Sequence, residues 1–185
     1  MPRLAQSSPL RRAIAVPLLA LNVGVAGAVD LGPWARHARQ HGEWTSLDFR
    51  HPVTGLFLAA RAGIEDPRTA ATLTLTAAPV QDCVAETVIV HKTGVPASRE
   101  VNELRTVALQ LDGPPSRRFR ARLVQPRGDV FIFAQLLDEL PLDELKNHGR
   151  LTVEVPGAGR ASFSLDGFAG AWTAAEEACQ AFLKP

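Results

Sequence analysis

Short runs of alternating apolar and polar residues recur along this chain at the spacing of half-buried strands. Leu73 and Leu75 alternate with Thr72, Thr74 and Thr76; Val107, Leu109 and Leu111 alternate with Ala108 and Gln110; Leu151, Val153 and Val155 alternate with Thr152 and Glu154. Each run predicts an antiparallel strand with one wet face. Val88-Ile89-Val90 and Val130-Phe131-Ile132-Phe133 are apolar at every position, which predicts central strands covered on both faces. Turn chemistry separates the runs: His51-Pro52-Val53-Thr54-Gly55, Gly113-Pro114-Pro115 and Pro156-Gly157-Ala158-Gly159. The pattern predicts a mainly β fold, an antiparallel sandwich or barrel-like domain.

Two segments change to helical spacing. Leu142 and Leu145 follow Pro141, which suits a first turn, and precede Gly149, which suits a left-handed helix end. They predict a short connecting helix. From about Gly167 to Leu183, the residues Phe168, Trp172, Ala175, Cys179 and Phe182 fall on one face, with Glu176, Glu177 and Gln180 away from it. This predicts a C-terminal helix packed on the sheet by its aromatic stripe, with Asp166 as N-cap.

The start of the chain has a different pattern. Arg11 and Arg12 precede an apolar run over residues 13–25, and Ala26-Gly27-Ala28 follows. This is the order of a secretory signal peptide, so residues 1–28 are read as a leader and residues 29–185 as one exported domain, periplasmic or secreted. The apolar run is shorter than the roughly 20 residues a membrane span requires. Removing Arg3, Arg11 and Arg12 from 20 basic residues set against 19 acidic ones changes the formal charge from +1 to −2. Such a domain lacks the basic field of a nucleic-acid binder. Cys83 and Cys179 both follow the leader, and an even count in an oxidising compartment favours a structural disulfide over two buried thiols or a redox pair.

Candidate chemistry is sparse. Arg118, Arg120 and Arg122 alternate with Phe119, Ala121 and Leu123, so a strand here displays its guanidiniums on one face and anchors itself by the other. Arginine forks suit phosphate and carboxylate. The competing reading is a solvated face paired with Asp or Glu. His37 and His41 share a face if their segment is helical, but two imidazoles flanked by arginines make a poor metal site, and a solvated N-terminal helix is the expectation. His51 reads as a turn residue. His148 suits the end of the connecting helix, whose dipole it would favour when charged. Ser162 and Ser164 lie in an alternating strand, not at a nucleophile elbow. Asp138, Glu139, Asp143 and Glu144 surround a helix start, where negative charge is favourable without catalysis.

One stretch resembles a known family. Ser164-Leu165-Asp166-Gly167-Phe168-Ala169-Gly170-Ala171 resembles the SLxGFxxA ending of the invasion-associated locus B family of exported bacterial proteins, and Gly42-Glu43-Trp44 resembles its GxW opening strand. Members usually carry further cysteines soon after that Trp; this chain has none before Cys83. The resemblance implies a periplasmic or outer-membrane-associated β-rich domain without an assigned reaction, some members being linked to invasion of host cells. It carries over no catalytic residue, and the physical reading of Gly167 is close helix-to-strand approach, that of Trp44 core filling. The combined expectation is a non-enzymatic, cofactor-free binding or accessory protein of the cell envelope. Its partner would be an envelope component or another protein, acidic if Arg118, Arg120 and Arg122 bind it. The alternative is a hydrolase of an envelope polymer with an unrecognised site.

Overall fold

The computed structural model describes residues 32–184. The leader read in residues 1–28 lies outside them. Ten strands form one sheet in the order β1-β2-β3-β4-β5-β8-β7-β6-β9-β10, every neighbouring pair antiparallel. They are β1 (Ala35–His41), β2 (Trp44–Arg50), β3 (Phe57–Asp66), β4 (Ala71–Ala77), β5 (Glu86–Lys92), β6 (Val101–Leu111), β7 (Arg117–Gln125), β8 (Phe131–Leu136), β9 (Arg150–Val155) and β10 (Gly159–Ser164). A short helix α1 (Leu142–Leu145) connects β8 to β9, and α2 (Phe168–Leu183) follows β10. The mainly β, antiparallel expectation holds, with both helices where the sequence puts them.

The sheet is open: β1 and β10 are its ends and do not pair. It curls until β10 meets the β2–β3 region through side chains. Trp44 Nε1 donates to the Ser164 carbonyl at 2.8 Å, and the Ser162 N–H donates to the Asp66 carboxylate at 3.0 Å. Inside the curl, Leu73, Leu75, Ile89, Leu123, Val153 and Phe163 are almost fully buried. Helix α2 packs against β1 to β4. Its Phe168 ring sits 4.9 Å from that of Trp44, while Trp172, Ala175 and Cys179 are buried beside it. Phe182 stacks on Phe57 at 5.5 Å but stays 46 % exposed. Cys179 is bonded to Cys83, fastening the helix to the loop before β5.

Several expectations are corrected. The segment of His37 and His41 is strand β1, not a helix. Gly42, at φ +54°, makes the tight turn that pairs His41 with Trp44, and β2 then templates the extended conformation. Asp166 does not cap α2. Gly167 takes that position at φ +86°, and a Cβ there would fall on the His41 carbonyl, so only glycine permits this approach. The connecting helix ends before Gly149, which is not left-handed; the Asp112 carboxylate holds its N–H at 3.1 Å and contacts His148 Nδ1 at 2.9 Å. Strand β4 has no wet face: Thr72 and Thr74 are buried between β3 and β5, and Thr74 Oγ1 donates to the Val88 carbonyl at 3.3 Å. Strands β5 and β8 are central as predicted, but Val88, Val90, Phe131 and Phe133 are only half-buried, sheltered by their cross-strand neighbours rather than by a second layer.

Candidate functional site

Strand β7 places its residues as period two requires. Ala121 and Leu123 are buried, Phe119 is half-buried against the core, and Arg118, Arg120 and Arg122 are exposed on the opposite face. The three cations are not equivalent, however. Arg120 is held by Asp138, which accepts from its Nε at 2.9 Å, its Nη2 at 2.6 Å and its backbone N–H at 2.7 Å. Those bonds from the Arg120 side chain and main chain keep the Asp138 carboxyl below the usual aspartate range. Arg118 and Arg122 have no acidic partner among the described residues. Arg122 lies between Leu104 of β6 and Gln135 of β8, and Gln135 is already committed to Glu86 at 2.7 Å.

The surface is therefore two free guanidiniums separated by a neutralised one. Four residues along a strand span about 13 Å. One phosphate cannot touch both ends, whereas an extended anion lying along β7 can. The strand is anchored by its buried face and paired on both sides, so the cations stand on a rigid platform. The remaining acids of the α1 region do not converge. Arg117, on the other face of β7, meets Glu144 at 2.7 Å, and Asp143 meets Lys146 at 2.9 Å.

A second polar cluster is missed by the alternation. Beneath α2, a cleft of about 240 Å³ is lined by residues including His37, Ser46, Asp48, Ala60, Ala175 and Ala178. Asp48 accepts from Arg50 Nε at 2.9 Å and lies 2.9 Å from His37 Nδ1; His41 Nε2 lies 2.9 Å from Ser46 Oγ. The two imidazoles thus turn to different partners and do not converge on a shared ligand position. A nucleophilic triad needs the histidine that activates the serine to be oriented by a carboxylate. Here the carboxylate serves His37 and Arg50, while the other nitrogen of His41 faces Gly170. Two separate pairs satisfy buried polar groups under a helix. The signal was present in β2, where Ser46 and Asp48 share the inward face with Trp44. His51 is the turn residue the sequence predicts, its Nδ1 accepting from the N–H groups of Val53 and Thr54 at 3.3 and 3.2 Å.

Fold and surface together define a curled, open antiparallel sheet with a disulfide-fastened C-terminal helix and an outward cationic strand. No family model matches the chain, and no curated protein matches it. Among solved structures, the chain is similar in fold to the crystal structure of invasion associated protein B from Bartonella henselae. The TM-score is 0.51 at 18 % identity, over 79 % of this chain and 98 % of that one. The resemblance carried by residues 164–171 and by Gly42-Glu43-Trp44 is thus matched at the level of fold. Those two segments meet in space: the Glu43 N–H donates to the Asp166 carbonyl at 3.2 Å, and Trp44 bonds to Ser164.

Proposed function

We propose that this protein is a non-enzymatic binding or accessory protein of the bacterial cell envelope, exported by the leader in residues 1–28, and that it holds an extended acidic ligand along β7. The observation that carries the reading is the pair of exposed guanidiniums of Arg118 and Arg122, without acidic partners among the described residues and mounted on a strand whose other face is core. The fold shared with an invasion associated protein supports the accessory class. The envelope offers phosphorylated glycolipids, acidic polymers and acidic protein segments, all of which present anions that an arginine fork can grip. No helix among the described residues is long and apolar enough to cross a membrane.

The test is affinity capture of envelope extract on the immobilised protein. The wild type retains acidic material that salt elutes, and Arg118→Gln/Arg122→Gln loses it while melting at the wild-type temperature, because exposed charges contribute little to stability. Retention by the folded double variant would refute the assignment.

A further inference from the structure

We propose that this protein self-associates as an antiparallel dimer through the free edge of β6, centred on Leu104. Each end strand of the sheet is interrupted as a pairing edge. Strand β1 is broken by a bulge between Arg36 and Arg39, and on β10 the Ser162 N–H is occupied by Asp66. Strand β6 differs from both. It pairs with β7 over residues 101–109 in unbroken register, whereas β9 covers only residues 108–111 on the opposite side. In residues 102–106, the backbone groups that point away from β7 have no neighbouring strand among the described residues, and every side chain is exposed. The segment reads Asn-Glu-Leu-Arg-Thr, with no Pro, Gly or bulge to spoil pairing. Leu104 stands at its middle, 68 % exposed.

The occupant follows from register and charge. Only alternate residues turn their N–H and C=O groups toward a given edge, so two copies of one edge oppose residues of like parity. The two-fold axis must then fall on a residue. On Glu103 it would set carboxylate against carboxylate, and on Arg105 guanidinium against guanidinium. On Leu104 it sets leucine against leucine and places Glu103 of each copy opposite Arg105 of the other. Asn102 then faces Thr106. Within one chain, Arg105 already grips Glu103 with Nε at 2.8 Å and Nη2 at 3.1 Å. In the dimer these groups form a ring of alternating sign on one face, with the leucines meeting on the other. An edge that is complementary to itself in charge, side-chain size and register fits a second copy of this chain. The dimer requires nothing of Arg118 or Arg122, so it stands apart from the anion-binding reading.

Sedimentation equilibrium of the full chain tests it with three proteins. The wild type dimerises with rising concentration in the micromolar range. Glu103→Arg and Arg105→Glu each place like charges across the axis twice and weaken association about tenfold or more. An equal mixture of the two variants regains association as a heterodimer, because the paired positions again carry opposite charge. Thermal melts establish that both exposed substitutions leave the fold intact. A wild type that stays monomeric throughout, a dimer indifferent to either substitution, or a mixture that fails to associate would each overturn the proposal.

Discussion

Asp66 fastens the β10 end of the curled sheet to β3. It is buried at the end of β3 and accepts from the Ser162 N–H at 3.0 Å, the Arg68 N–H at 3.0 Å and Arg68 Nε at 3.3 Å. Burial alone would raise its pKa, but the hydrogen bonds from Ser162 and Arg68 outweigh it and hold the carboxyl below the usual range. In the unfolded chain this carboxyl has a pKa of about 3.9, so the unfolded state takes up the proton first on acidification. The stabilisation is complete above that value and disappears as pH falls through the lower folded one. Asp66→Asn should cost about 1 to 3 kcal/mol at neutral pH. Urea midpoints measured at neutral pH and in acid should show the gap from wild type narrowing in acid; a constant gap would contradict the assignment. Gly167 offers a second residue-scale test against a control. Gly167 and Gly157 both have positive φ, but a Cβ at Gly157 meets open space, whereas at Gly167 it meets backbone that cannot rotate away. Gly157→Ala should cost about 1 kcal/mol and Gly167→Ala about 3 kcal/mol or more, read by thermal denaturation.

At the scale of elements, α2 was legible and β1 was not. The helix declares itself because each of Phe168, Trp172, Ala175 and Cys179 is oriented by its own turn, and the buried stripe repeats that local period. Strand β1 has almost no buried residue, so its conformation is set by β2 across a tight turn, information that the histidine spacing does not contain. The threonines of β4 misled for a related reason, since their burial depends on strands to either side. The disulfide adds a constraint that neither element supplies alone. Cys83 and Cys179 are 96 residues apart, and closing a loop of that length contributes about 4 to 5 kcal/mol in the chain-entropy account. Cys179→Ser should lower stability by up to that amount and speed amide exchange in α2 before the rest of the sheet. The oxidised and reduced proteins should differ in mass by two hydrogens. Unaltered exchange in α2 would show that its apolar face alone holds it.

For the whole molecule, the sequence contains the platform but not its partition. Alternation aligned Arg118, Arg120 and Arg122 correctly, since facing in a strand is a local property. What removes Arg120 is Asp138, 18 residues away, whose reach depends on how β7 and β8 pair. That the edge of β6 around Leu104 is left free is likewise revealed only by strand order, and that Ser46 and Asp48 lie under a helix is revealed only by the packing of α2 on β2. The surface suits a long ligand because the two free cations lie along one strand, about 13 Å apart, and not around a pocket. The most direct test is a salt titration of binding to an acidic polysaccharide long enough to span them, comparing wild type, Arg120→Gln and Arg118→Gln/Arg122→Gln. Wild-type affinity should fall steeply with salt, and the folded double variant should bind weakly with a shallow salt dependence. Arg120→Gln, by exposing Asp138 beside the anion, should weaken binding without removing its salt dependence. Equal affinity and equal slope for wild type and double variant would contradict the account.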